Sequence, residues 1–154
     1  MSSPKNTYVA VVDDDEGLRR SLSRLLRAAG FQPIAYPSAE VFLDDDKRPD
    51  FDCLVLDIRM DGMSGIDLQK QLAETGSTTP VVFITAHDDP KVREQALAVG
   101  CAGYFRKTDP GEAVLAAIKL ATEHRSVERG FFEPEDRVCA DTGDSQGMGG
   151  SEPN

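Results

Sequence analysis

The stretch "VVDDDEG", residues 11–17, decides how the rest of the chain is read: an apolar run stops, and Asp13, Asp14, Asp15 and Glu16 follow without a break. Adjacent like charges repel, so the run needs a reason. The simplest is a helix start, because carboxylates are favoured at the positive N-terminal end of a helix. Leu18, Leu22, Leu25, Leu26 and Ala29 fall on one helical face behind the acids, and Gly30 supplies a left-handed stop. Before the acids, "YVAVV" reads as a strand. The acids therefore sit where a buried strand hands over to a helix.

The same unit recurs along the chain. "FQPIAY", "FDCLVLD", "PVVFIT" and "CAGYFR" are strand-like runs, each followed by residues at helical spacing. Ser38 is placed to cap a short helix through Leu43, and Ser64 one that carries Ile66, Leu68 and Leu72 and ends before Gly76. Pro90 suits a first helical turn, with Val92, Ala96 and Val99 inward and Gly100 closing. Asp109 and Pro110 open a last helix with Val114, Ile118 and Ala121 inward, expected to fray near Arg125. Five strand and helix pairs in strict alternation require crossover connections. The expected fold is α/β: a doubly wound, five-stranded parallel sheet of the flavodoxin-like kind, strand order 2-1-3-4-5.

Composition narrows the function. The chain has 154 residues, 40% of them hydrophobic, enough for one domain with a core. Its 17 Lys and Arg stand against 27 Asp and Glu, a formal charge of −10 that opposes direct binding to nucleic-acid phosphates or anionic membranes. "MSSPKNTYVA" lacks the apolar core of a signal peptide and no window approaches a membrane span, so a cytoplasmic protein is expected. Cys53, Cys101 and Cys139 are widely spaced and form no C-x-x-C pair, which points to neither a disulfide framework nor a zinc site. Residues 1–125 are read as the folded domain and 126–154 as an acidic, Gly- and Ser-rich tail, disordered or weakly docked through Phe131 and Phe132.

In open α/β sheets the ligand site lies beyond the carboxyl ends of the strands. The residues at those ends form a coherent set: Asp13 and Asp14 after the first strand, Asp57 at the third, Thr85 at the fourth, and Arg106 then Lys107 at the fifth. Three carboxylates brought together would raise each other's pKa unless a cation sat among them, and oxygen-only ligands select Mg²⁺, with Mn²⁺ as a substitute. A carboxylate beside such an ion, with an ammonium and a hydroxyl nearby, suits phosphoryl transfer to that carboxylate. Each residue also has a plainer reading: Asp57 as a strand-end turn, Thr85 as an ordinary strand residue, Lys107 as a solvated loop cation, Tyr104 as a half-buried aromatic. The charged "DDDKRPD", residues 44–50, is assigned no chemistry.

"VVDDDEGLRRSL", "LVLDIRMDGMSGIDL", "VVFITAH" and "GYFRKTDP", in this order, resemble a bacterial response-regulator receiver domain of two-component signalling, the CheY-like class, over residues 8 to about 124. "LLRAAGFQPIAYPSAEVFL" further resembles the FixJ-like subfamily of transcription regulators. The resemblance implies that Asp57 accepts a phosphoryl group from a sensor histidine kinase or phosphotransfer protein, as a phosphoacceptor with only self-catalysed phosphotransfer and autodephosphorylation. It implies Mg²⁺ on Asp13, Asp14, Asp57 and the main-chain carbonyl of Arg59, with Lys107, Thr85 and the Ala86 N–H on the phosphoryl oxygens. Thr85 and Tyr104 match the family's switch pair, coupled to a face made by the fourth helix, fifth strand and fifth helix. The output protein is not identified by the sequence, and the pattern leaves room for a phosphorylation-dependent homodimer.

The chain departs from the family pattern at two places. Asp61 stands where most relatives carry Pro, which removes a fixed φ and implies a more mobile loop. Thr108 follows Lys107 where relatives carry a cis Pro; a cis bond before a non-proline costs roughly 3 kcal/mol, so a trans bond is expected. Arg59 and His87 occupy the positions that, by the resemblance, tune the lifetime of the acyl phosphate. Three other functions share parts of this pattern. A pseudo-receiver adaptor that is never phosphorylated would suit the changes at Asp61 and Thr108. A Mg²⁺-dependent phosphatase with an Asp nucleophile needs an acid where Arg59 stands. A flavodoxin-type carrier would need a Gly- and hydroxyl-rich phosphate loop in place of the four acids.

Overall fold

A computed structural model describes residues 7–129, with side chains through Glu123, and residues 7–122 pack as one compact unit. Five strands and five helices alternate: β1 (Tyr8–Val12), α1 (Glu16–Ala28), β2 (Gln32–Tyr36), α2 (Ala39–Asp44), β3 (Cys53–Asp57), α3 (Gly65–Glu74), β4 (Val81–Thr85), α4 (Pro90–Val99), β5 (Gly103–Arg106) and α5 (Gly111–Arg129). All pairings are parallel and the order is β2-β1-β3-β4-β5, the doubly wound, flavodoxin-like arrangement the alternation predicts. One boundary differs: α5 continues past the fraying point expected near Arg125. Phe131, Phe132, Cys139 and the tail from residue 130 lie outside the described residues.

The central strands are apolar on both sides because helices cover both faces. Ala10, Val12, Leu54, Leu56, Val81 and Phe83 pack with Phe42, Ile66, Leu68, Leu72 and Ala96 from α2, α3 and α4. Their neighbours in sequence, Val9, Val11, Cys53, Val55, Val82 and Ile84, pack on the other face with Leu22, Leu26, Val114, Ile118 and Ala121 from α1 and α5. This two-residue alternation fixes the register, since a one-residue slip would exchange the two cores.

Capping residues set the helix starts. Asp15, Ser38, Ser64 and Asp89 are the N-caps of α1 to α4, each accepting from backbone N–H groups of the first turn. The charged run before β3 is a brace. Tyr36 donates its hydroxyl to Asp45 at 2.6 Å, and the Arg48 guanidinium donates to the Phe42, Leu43 and Asp45 carbonyls while lying 4.7 Å from the centre of the Phe42 ring. Arg48 thereby adds side-chain donors at the C-terminal end of the short α2, where the Phe42 and Asp45 carbonyls also accept from the Asp45 and Arg48 N–H groups.

Candidate functional site

The strand ladder extends just past its ends, and this aims the site residues. Asp13 N–H donates to the Tyr36 carbonyl at 3.1 Å, Ile58 N–H to Ile84 at 3.1 Å, and Lys107 N–H to Thr85 at 2.8 Å. Asp13, Asp57 and Lys107 are thus held on backbone that still belongs to the sheet.

Asp13, Asp57 and Thr85 are buried, whereas Asp14 is exposed at the rim. One oxygen from each of Asp13, Asp14 and Asp57 falls within 4.8 Å of the others. The Lys107 ammonium bridges two of them, 3.2 Å from Asp13 Oδ1 and 3.4 Å from Asp57 Oδ2. Asp13 Oδ1 also accepts from Asp15 N–H at 2.8 Å, and Arg19 donates to the Asp13 carbonyl at 2.8 Å. Asp13 Oδ2 is buried with no hydrogen-bond partner. A buried carboxylate oxygen costs free energy unless paired, so this atom marks where a cation would fit.

The electrostatics point the same way. Burial, then the charge of Asp13, push the Asp57 carboxyl up to about 7, with Lys107 pulling it partly back. Burial works against the Lys107 ammonium, but Asp13 and Asp57 outweigh it and hold its pKa above the ordinary lysine value. One ammonium does not balance three carboxylates, and an oxygen-lined site with a charge deficit matches a hard divalent ion.

The other expected residues lie around this centre. Arg59 N–H donates to Asp57 Oδ1 at 3.3 Å while its side chain is exposed. Ala86 and His87 are exposed on the loop after β4. The Thr85 hydroxyl donates to the His87 carbonyl at 2.9 Å and accepts from His87 N–H at 3.2 Å, so its hydrogen is committed away from Asp57. The Tyr104 ring is half-buried against the α2–α4 core, with its hydroxyl donated to Asp88 Oδ1 at 3.3 Å. Asp13, Asp14, Asp57 and Lys107 converge; Thr85 is adjacent but turned aside, and Tyr104 faces outward.

Four contributors escape the sequence reading. Gly65 starts α3 so close to Asp57 that a Cβ there would collide with the Asp57 carbonyl. Glu40 on α2 accepts from Met63 N–H at 2.8 Å, and Gly62, at φ +82°, leaves the space its carboxylate fills. The loop carrying Asp61 is therefore tied to α2 and to Asp57, without the proline. Arg19 sat in plain view as one of several arginines on α1.

Among the described residues no helix is long and apolar enough to cross a membrane. Residues 9–119 match the response regulator receiver domain family. The response regulator protein TodT of Pseudomonas putida is 38% identical over 128 residues, covering 80% of this chain and 56% of TodT. The transcriptional regulatory protein FixJ of Azorhizobium caulinodans is 36% identical over 130 residues, covering 84% of this chain and 61% of FixJ. The chain thus spans little more than half the length of these relatives. Among solved structures, FixJ-N superposes with a TM-score of 0.71 at 32% identity, covering 79% of this chain and 97% of that one. The response regulator StyR gives 0.72 at 41% identity, covering 81% of this chain and 63% of that one. With a parallel sheet in the order β2-β1-β3-β4-β5 and an acid cluster at its carboxyl edge, the chain belongs to the response regulator receiver domains of two-component signalling, and is FixJ-like among them.

Proposed function

We propose that Asp57 accepts a phosphoryl group from a phosphohistidine of a sensor histidine kinase or phosphotransfer protein, and that the acyl phosphate switches a protein-binding face built from α4, β5 and α5. The observation that carries this is the buried Asp13–Lys107–Asp57 cluster with one Asp13 oxygen left unpaired. Asp13, Asp14 and Asp57, with the main-chain carbonyl of Arg59, would hold Mg²⁺ or Mn²⁺. When bound, that ion offsets the cluster's charge and stabilises the phosphoryl oxygens during transfer.

Asp57 does the chemistry. A carboxylate oxygen attacks phosphorus, and the P–N bond breaks with its electron pair passing to the imidazole, which picks up a proton. Lys107 then pairs with one phosphoryl oxygen, and the Thr85 hydroxyl and Ala86 N–H donate to others. For this the Thr85 hydroxyl leaves His87, which links phosphorylation to movement of the loop before α4. Arg59 and His87, two residues beyond Asp57 and Thr85, tune how readily water attacks the acyl phosphate.

The test is incubation with Mg²⁺ and acetyl phosphate, or with a phosphorylated histidine kinase, followed by a search for base-labile phosphoprotein. Label on the wild type that is lost in Asp57→Asn is the expected result. An unlabelled wild type would leave a phosphorylation-independent adaptor as the better reading, and undiminished label on Asp57→Asn would move the acceptor elsewhere.

A further inference from the structure

Tyr104 and Thr85 are held by the same short segment, residues 86–93. The Thr85 hydroxyl both donates to and accepts from the His87 backbone, at 2.9 and 3.2 Å. One residue on, Asp88 takes the Tyr104 hydroxyl at 3.3 Å, and in the first turn of α4 the Arg93 guanidinium lies 5.2 Å from the centre of the Tyr104 ring. Asp88 and Arg93 are exposed and neither supports the core, whereas the ring they hold is half-buried against it. The carboxylate fixes the polar tip of the ring and the guanidinium covers its face.

The geometry points to Asp88 and Arg93 as positioning residues that latch Tyr104 outward and so set the resting balance of this receiver. The inference rests on the proposed phosphoacceptor role of Asp57 and goes beyond it, because neither residue touches the phosphorylation site. For the Thr85 hydroxyl to reach a phosphoryl group on Asp57, it must leave His87. The backbone that moves then carries Asp88, and the Tyr104 hydroxyl loses its acceptor. Conversely, an intact latch on Tyr104 holds that backbone where it binds Thr85. A ligand that needs the rearranged loop binds with its intrinsic affinity multiplied by the fraction of molecules already rearranged, so weakening the latch tightens binding without any new contact to the ligand.

The test uses beryllofluoride with Mg²⁺ as the phosphoryl mimic, titrated calorimetrically against the full chain, with acetyl-phosphate labelling of the same samples. Asp88→Ala and Arg93→Ala are expected to bind beryllofluoride roughly fivefold more tightly than the wild type, with the double variant gaining less than the product because both act on one ring. Asp88→Asn, which keeps an acceptor for the hydroxyl, should return most of the way to wild type. Asp89→Ala serves as the control, since it removes the α4 N-cap and one nearby negative charge but leaves the hydrogen bond from the Tyr104 hydroxyl to Asp88 in place. Unchanged affinity in both alanine variants, with the wild type still labelled, would overturn the latch and leave the phosphoacceptor role standing. An equal gain from Asp89→Ala would also overturn it, by reducing the effect to a loosened helix. A wild type that neither labels nor binds beryllofluoride would overturn the phosphoacceptor role and the latch with it.

Discussion

Asp13 and Asp57, at the ends of adjacent strands, share one ammonium: Lys107 Nζ lies 3.2 Å from the first and 3.4 Å from the second. Both carboxylates are buried, so the protein holds more negative charge at this edge than its own cations offset. Such a site is a source of instability until something positive enters it.

That instability should be visible in the pH dependence of metal-free protein. The folded-state pKa of Asp57 is raised from 3.8 to about 7 by burial and by Asp13, so the fold favours its neutral form. The cost is absent below the unfolded value, grows as pH rises through this window, and is complete above it, reaching the order of a few kcal/mol. Asp57→Asn removes it. Thermal melts in chelator should show the variant melting several degrees above wild type at pH 8, with the gap closing towards pH 4. Saturating Mg²⁺ should narrow the gap at pH 8 by raising the wild type. A variant no more stable than wild type at pH 8 would contradict the charge assignment.

Asp14 and Asp15 are neighbours with separate tasks. Asp14 contributes an oxygen to the carboxylate cluster, while Asp15 caps α1 by accepting from Gly17 and Leu18 N–H. Asp14→Ala should abolish Mg²⁺ binding in calorimetry and phosphorylation with it, at little cost in stability. Asp15→Ala should lower stability by about 1 kcal/mol through the lost cap and leave Mg²⁺ affinity nearly intact. Equal losses of Mg²⁺ binding would mean that the acid run is not divided in this way.

The fold was legible because the apolar alternation, the caps and the order of elements all agree. Ser38, Ser64, Pro90 and Gly100 stand in the structure where their backbone preferences place them in the sequence. The strand-end acids were legible for a topological reason, since parallel strands bring their carboxyl ends to one edge whatever lies between them. Contacts that depend on side-chain reach were hidden. Nothing local marks Glu40 as the acceptor for Met63 N–H, 23 positions later, or Asp88 as the partner of Tyr104. Asp61 in place of proline draws attention to its loop, but the sequence does not display the contacts at Glu40 and Gly65 that border it.

Gly65 is needed for clearance more than for conformational freedom. A methyl group there meets the carbonyl of Asp57, which is backbone and cannot swing aside. Gly65→Ala should therefore cost about 1–3 kcal/mol, the range for forcing extra volume into a packed site, even though alanine is the better helix former. The displaced Asp57 should also bind Mg²⁺ more weakly, which separates this effect from simple loss of stability. Chemical denaturation and Mg²⁺ calorimetry on the same variant check both parts, and an Ala variant as stable as wild type would show that α3 can back away.

Glu40 gives the last prediction. Its carboxylate is held below the usual range mainly by the Met63 N–H, so the ionised form is the one that secures the loop after Asp57. A depressed carboxylate pKa supplies its contribution above the unfolded value and loses it as pH falls through the folded one. Amide exchange at Met63, corrected for the intrinsic pH dependence of exchange, should therefore be slow near neutrality and lose protection as the solution is acidified towards pH 3. Glu40→Ala should remove that protection at every pH. Glu40→Gln, which keeps a neutral oxygen acceptor, should retain part of it and abolish the pH dependence. Because Arg59 N–H reaches Asp57 from the same loop, Glu40→Ala should also weaken Mg²⁺ binding while leaving the core intact. Retained Met63 protection in Glu40→Ala would mean that Gly65 and the packed methionines hold the loop without α2.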